Sequence, residues 1–517
     1  MELNKIGVHR KQEKISAISQ ITLDDDYNVP DYRPDIVKVL KEKGELRFDE
    51  VNASNGAAWV KGSMVFRVLY RSDQENGKIS CLRGEIPFQE KLNMEGLVDY
   101  DKVKVGGEIE DITIGVINSR KLSVRAVVVL RTASEEEVDE SFTTGVSEPD
   151  GCEQKVKSTQ MLRLVLAERD ICRQKTEIVL PSSKPNVHEV LWKSIELRSV
   201  ESFLKDGAIG VNGEILVAIL YSEEEGERLQ WFETTVPLSC SVDKEAATEG
   251  KLYKVKITPV TMELEVKQDY DGEERIFVME LALDMDIHIW QEETFDLLED
   301  IYSLSKNVIP VRRQRGLENL RMKNYAKQRL VEQMVLSGNQ EKILQICACE
   351  GNVLLEHKEI TPEGVMAEGI LTVELLYITT DDHMPVGTAR EIYPFSQLLE
   401  VPDMQKDAHV ELECGVEQLS AVMLDQEHIE MKAVIHLDLM VFDEMSVMNI
   451  EEVTEEPLDM EALKQSPGLV GYIIKQGDSL WNIAKENHTT VSDIMETNQL
   501  KTQTLTPGDQ ILIIKKV

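Results

Sequence analysis

The 517-residue chain is poor in the features that mark several protein classes. Its 29 glycines and 16 prolines are too few for a collagenous or linker-like polymer. No stretch approaches the roughly 20 apolar residues that cross a bilayer as a helix. Residues 1–10, MELNKIGVHR, hold no apolar core of signal-peptide length. Cations are scarce too: 57 Lys and Arg stand against 94 Asp and Glu, a net charge of -37. Such a surface repels nucleic acid, anionic lipid and anionic wall polymers over about a Debye length, and otherwise simply keeps a large protein soluble. The seven cysteines (Cys81, Cys152, Cys172, Cys240, Cys347, Cys349, Cys414) are odd in number and widely scattered, unlike a secreted disulfide framework. A soluble protein of a reducing, cytoplasmic compartment is expected.

Apolar residues at 42% and charged residues at 29% are those of a folded chain, and the length is too great for one core. A pattern Gly-x-apolar-x-apolar-x-apolar-x-Tyr recurs three times: Gly62, Met64, Phe66, Val68, Tyr70; Gly213, Ile215, Val217, Ile219, Tyr221; Gly369, Leu371, Val373, Leu375, Tyr377. The tyrosines are 151 and 156 residues apart, and each is followed at +17, +16 and +17 by Pro87, Pro237 and Pro394. Period-two alternation specifies one buried strand face, written three times. A second alternating strand closes each unit: Val124 to Leu130, Phe277 to Ile287, and Ile429 to Leu439. The polar turns Asn118-Ser119-Arg120, Asp271-Gly272-Glu273 and Asp425-Gln426-Glu427 precede them as hairpin connections. Upstream, Pro30…Pro34…Leu40 matches Pro181…Pro185…Leu191, and Pro34 and Pro185 suit the first position of a short helix. In the third unit, residues 338–346 take this place without the prolines. The acidic stretches Ser134–Ser141 and Glu451–Pro457 read as linkers unable to order themselves, and the segment from Ser446 to Pro467 as a flexible tether.

The Pro-Asp-Tyr-Arg-Pro-Asp-Ile segment and the three Gly…Tyr…Pro units resemble the SPOCS domain of spore-coat proteins from endospore-forming, clostridial-type bacteria. The last fifty residues read strand, helix, helix, strand. Asp478 is expected to cap the first helix, on which Leu480, Ile483 and Ala484 form one face, and Thr490 the second. Thr506-Pro507-Gly508 fits a type II turn. These residues are similar to a LysM module over its full length.

The resulting expectation is a mainly β chain: three tandem homologous β-rich, sandwich-like units plus a C-terminal α+β (βααβ) LysM domain. The boundaries read 1–133, 156–300 and 301–445 for the units, 134–155 and 446–468 for the linkers, and 469–517 for the LysM domain. The LysM resemblance implies a groove for N-acetylglucosamine polymer (peptidoglycan) around Gly477, Asp478, Ser479, Leu480, Asn498, Leu500, Thr506, Pro507 and Gly508. Several of these have capping and turn duties whatever is bound. Ile473, Leu512 and Ile514 instead fall on the sheet's outer face, where such modules more often carry polar residues. With Trp481 they are candidates for a protein-partner face, unless the preceding unit covers them.

No catalytic residue, metal site or cofactor is predicted. No Gly-x-Ser-x-Gly elbow, phosphate loop or His-Glu-x-x-His helix is present. His288 and His436 fall within predicted strands, and Cys347-Ala-Cys349 reads as strand alternation, since two thiolates need further ligands. The order of domains resembles the SipL-type spore-coat morphogenetic family. That resemblance implies a non-enzymatic scaffold in the mother-cell cytoplasm, at the forespore surface. It would recruit or stabilise the basal coat layer by binding the coat ATPase, stage IV sporulation protein A, through the LysM region. The alternatives are a peptidoglycan-binding protein of the cortex or wall and a wall hydrolase, which would need export and a catalytic domain. Exposed β edges would allow self-association.

Overall fold

The computed structural model describes residues 1–74, 78–147, 151–223, 228–338, 340–381, 383–406, 408–465 and 467–515. Residues 148–150 and 466 of the expected linkers, Asn339 of the third unit's leading segment and the C-terminal pair 516–517 lie outside them.

Unit 1 contains β1 (Leu3–Asn28), β2 (Ile36–Ser54), β3 (Ala57–Ser72), β4 (Ile79–Asn93), β5 (Val103–Asn118) and β6 (Lys121–Val146). Unit 2 repeats them as β7 (Cys152–Val179), β8 (Val187–Lys205), β9 (Ala208–Glu223), β10 (Leu229–Asp243), β11 (Leu252–Gln268) and β12 (Glu274–Ser303). Unit 3 does so again as β13 (Asn307–Val335), β14 (Ile343–Thr361), β15 (Gly364–Thr379), β16 (Val386–Glu400), β17 (His409–Met423) and β18 (His428–Glu456). Each unit makes two antiparallel three-stranded sheets, β1-β6-β5 facing β2-β3-β4 in the first, with the same order in the others. After α1 (Met460–Gln465) come β19 (Leu469–Ile473), α2 (Leu480–Glu486), α3 (Val491–Thr497) and β20 (Gln510–Ile514). The three sandwiches and the terminal α+β module are those expected.

The repeated motif has a packing cause. Its apolar positions are buried between the two sheets, Met64, Phe66, Val68 and Tyr70 all at 0% exposure. Opposite the motif glycine the neighbouring strand carries a β-bulge, at Phe48/Glu50, Arg198/Glu201 and Leu355/His357. The bulge brings backbone over the glycine: a Cβ on Gly62 would sit 2.3 Å from the Arg47 carbonyl oxygen, and one on Gly369 2.3 Å from that of Leu354. Only glycine tolerates that approach. Pro87, Pro237 and Pro394 lie on β4, β10 and β16, all edge strands, where a missing N–H need break no ladder bond.

The proline segments form no helix. Arg33 N–H bonds Pro30 C=O at 2.9 Å and Lys184 N–H bonds Pro181 C=O at 2.9 Å, single turns that lead straight into β2 and β8. Each turn is filled from below by a hairpin arginine. Arg120 donates to the carbonyls of Val29, Pro30 and Arg33, and Arg275 to those of Leu180, Pro181 and Lys184. A helix would have turned those carbonyls inward upon itself.

The acidic stretches are also ordered, contrary to expectation. Residues 134–146 belong to β6, paired with β1, and residues 446–456 to β18, paired with β13. Cations distant in sequence neutralise them: Lys11 and Lys104 reach Glu135 at 2.5 and 2.9 Å, Arg10 reaches Glu140, and Lys306 reaches Glu455 at 2.7 Å. Phe142 and Ile450, both fully buried, anchor them from the other face.

The three units close around a pseudo-threefold axis. The middle sheets abut edge to edge, β4 against β8, β10 against β14 and β16 against β2. The residue before each motif tyrosine, Leu69, Leu220 and Leu376, meets its counterparts in a plug with Leu191, Trp192 and Ala348. Beside that plug lies a chamber of about 1880 Å³ lined by all three units. Lysines cross its seams: Lys104 to Asp286 (2.5 Å), Lys254 to Glu411 (2.8 Å) and Lys43 to Glu350 (3.0 Å). In unit 2, Cys172 and Cys240 form a disulfide between β7 and β10 with Cα atoms 6.3 Å apart. A bonded pair is not what the expectation of a reducing compartment led to; the other five cysteines are free.

Candidate binding site in the C-terminal module

The module folds around Ile474, Leu480, Ile483, Ala484, Ile494, Ile511 and Ile513, all buried. Ser479, rather than Asp478, caps α2, its hydroxyl accepting from Asn482 N–H at 3.2 Å. Asp478 sits one residue too early and instead accepts from the Lys475 N–H (2.7 Å) and the Tyr472 hydroxyl (3.0 Å). Thr490 caps α3 as expected, accepting from Asp493 N–H at 3.0 Å. Thr506-Pro507-Gly508 makes the expected turn, with Asp509 N–H bonded to Thr506 C=O and Gly508 at φ +98°.

The nine groove residues separate by duty. Gly477, Thr506, Pro507 and Gly508 are exposed on two adjacent loops, held together by Gly508 N–H to Ile474 C=O and Ile474 N–H to Asp509 C=O. Leu480 is 2% exposed and belongs to the core, against which Leu500 also packs. Asn498 grips the edge of β20 like a third strand: its amide donates to Leu512 C=O and its carbonyl accepts from Leu512 N–H, both at 2.7 Å. Ser479 and Asp478 serve the α2 entry.

The sheet's outer face is open. Leu469 pairs with Ile514 and Gly471 with Leu512, and Ile473 stands beside them opposite Gln510. Exposures are 60% for Leu469, 57% for Ile473, 40% for Leu512 and 48% for Ile514, so the β units do not cover them. Leu469, the fourth member, follows from the same alternation.

Trp481 faces away from that surface. Its indole N–H donates to Asp300 at 2.7 Å and its ring meets Tyr302 edge-on, centroids 4.9 Å apart. Lys485 adds two bonds to the same carboxylate at 2.8 Å, and Arg312 of β13 a further ion pair. The Tyr302 hydroxyl donates to Thr489 C=O at 2.9 Å within the shared core. Burial works against the charge of Asp300, yet its bonds from Lys485 and Trp481 hold the carboxyl below the usual range. The module is therefore seated on the end of β12, not carried on a free tether. Asp300 and Tyr302 escape a sequence reading because they look like any acidic and aromatic positions of a strand.

The other singled-out residues serve the strands. His288 stacks on Trp290 and His436 on Tyr325. Burial pushes the thiols of Cys347 and Cys349 up to about 12, leaving both protonated at neutral pH. Among the described residues, no group of three or more His, Cys, Asp and Glu is placed to hold a metal ion, and no helix is long and apolar enough to cross a membrane.

Comparison with protein families matches the SipL, SPOCS domain to residues 35–117, 186–267 and 342–424, one in each unit, and the LysM domain to residues 472–513. The chain has the SipL-like architecture. No curated protein and no solved structure matches it. Both families are non-catalytic binding domains, and together they fit a sporulation, coat-associated protein with a peptidoglycan-binding type of module.

Proposed function

We propose that this SipL-like chain is a non-enzymatic scaffold of the spore coat. It recruits or stabilises the basal coat layer on the forespore from the mother-cell cytoplasm, with the basal-layer ATPase, stage IV sporulation protein A, as partner. The observation that carries this reading is the uncovered aliphatic face of Leu469, Ile473, Leu512 and Ile514 on a rigidly seated LysM module. Four clustered apolar side chains on so small a sheet are a protein-contact surface; glycan recognition would use the polar loops. The seat supports the same reading, since a pre-oriented face loses less freedom on binding than a tethered one.

The groove loops at Gly477 and Thr506–Gly508 stay open, so glycan binding is the alternative that the test must separate. Full-length protein is incubated with insoluble peptidoglycan or with the purified ATPase. Retention by the ATPase alone, abolished by Ile473→Asp or Leu512→Asp in a chain that remains folded, is expected. Retention by peptidoglycan alone, or unchanged ATPase binding by both variants, would overturn the proposal.

A further inference from the structure

The three seams between units are built from equivalent positions but differ in charge. Across β2, β3 and β4, Lys43, Arg67 and Arg83 stand in one cross-strand row. Arg67 and Arg83 are direct partners, so they share a face, the one that Leu69 turns toward the axis. From β8, next to β4, comes Lys193. At the next seam the counterparts are Ala218 and Glu233, with Cys349; at the third they are Glu374 and Arg390, with Glu42. Of these three sets of positions, only the one at the first seam is cationic throughout.

Those cations are poorly compensated. Lys43 is taken by Glu350, and Arg67 has only Glu45 at 3.9 Å. Arg83 and Lys193 make no ion pair within 4 Å among the described residues, in a chain whose carboxylates exceed its cations by 94 - 57 = 37. Burial pushes the Lys193 amine down to about 8, and Arg67 and Arg83 add to that shift against the opposing pull of Glu263 and Glu45. Like charges placed directly across a sheet are destabilising unless something sits between them. Paired guanidinium groups are matched in shape and charge to a tetrahedral oxyanion.

We infer that the seam between units 1 and 2, formed by Arg67, Arg83 and Lys193, binds a small doubly charged oxyanion of the phosphate class. The site is far in function from the LysM face and stands or falls independently of it. Arg83 supplies the exposed fork, Arg67 the half-buried one, and Lys193 the third donor from the neighbouring unit, so an anion here also ties two units together.

An amine that is about half unprotonated at pH 8 acylates faster than an ordinary lysine, which gives a direct readout. Full-length protein is treated with acetic anhydride at pH 8 in sodium phosphate or in sodium chloride of equal ionic strength, and labelling at each lysine is followed by mass spectrometry. Phosphate is expected to slow acetylation of Lys193 several-fold while other exposed lysines are unaffected, and Arg83→Ala to remove that protection. A parallel arm with phosphoserine tells a free-ion site from one open to phosphomonoesters. Equal Lys193 rates in phosphate, phosphoserine and chloride, or protection that persists in Arg83→Ala, would overturn the inference.

Discussion

Tyr70 and Tyr221 show how one hydroxyl separates two faithful repeats from a diverged one. Both are fully buried and donate to a proline carbonyl 36 residues earlier, Tyr70 to Pro34 at 3.2 Å and Tyr221 to Pro185 at 3.1 Å. Tyr377 is equally buried, but its hydroxyl makes no hydrogen bond among the described residues. The hairpin arginine is also gone there, since Glu427 occupies the place of Arg120 and Arg275. Tyr70→Phe or Tyr221→Phe should thus cost about 0.5–1.5 kcal/mol, the usual worth of one buried hydrogen bond. Tyr377→Phe should be neutral or slightly stabilising. Calorimetric melting of the three variants checks this; an equal loss in all three would mean that the hydroxyls do not matter. The alternation and the tyrosines were legible in the sequence because they are local. The reason for the glycines was not, because it lies in a bulge on another strand, and the Pro34 and Pro185 turns were misread because their stabilising arginines are some 90 residues away.

At the scale of elements, the acidic stretches were misjudged on composition alone. A run such as Glu135–Glu140 orders once β1 lays cations beside it, and no window of sequence contains both strands. The LysM module was the most legible element, since its caps, turn and core are all within fifty residues; its seat was not, since Asp300 lies some 180 residues before Trp481. Asp300 is only 13% exposed and receives Trp481, Lys485 and Arg312. Asp300→Ala should weaken docking by about 1.5–3 kcal/mol, typical of hydrogen bonds to a charged group, and expose residues 457–468 to limited proteolysis. Its carboxyl titrates lower when docked than when free. That contribution is therefore fully present above the free value near 3.9 and is lost as pH falls through the lower docked value. Docking should hold at neutral and mildly acid pH and loosen below about pH 4. Cleavage rates in wild type and Asp300→Ala that match at pH 7 would refute the seat.

For the whole molecule, tandem repetition does what a homotrimer cannot. A threefold trimer would place identical side chains around the axis, and three lysines at the position of Lys43 would repel one another. Here the equivalent positions are Lys43, Ser194 and Glu350, and one strand residue earlier but one they are Lys41, Trp192 and Ala348. Lys43 bonds Glu350 at 3.0 Å, and Lys41 bonds Glu374 at 2.6 Å while standing over the Trp192 ring. Burial alone would raise Glu350; Lys43 and Lys41 together bring it down to about 2. The residues at these axial positions differ from unit to unit, so they fix which unit lies beside which, and the edges used in closing the ring are not free to polymerise. Glu350 is 11% exposed, and removing one partner of so buried a pair typically costs about 3–5 kcal/mol. Lys43→Glu should destabilise the ring on that order, and adding Glu350→Lys should recover much of the loss by restoring an opposite pair in the same place. Denaturant unfolding of the wild type, the single variant and the swap measures both steps. A swap no more stable than the single variant would show that size and packing at the axis, rather than charge, set the order of the units.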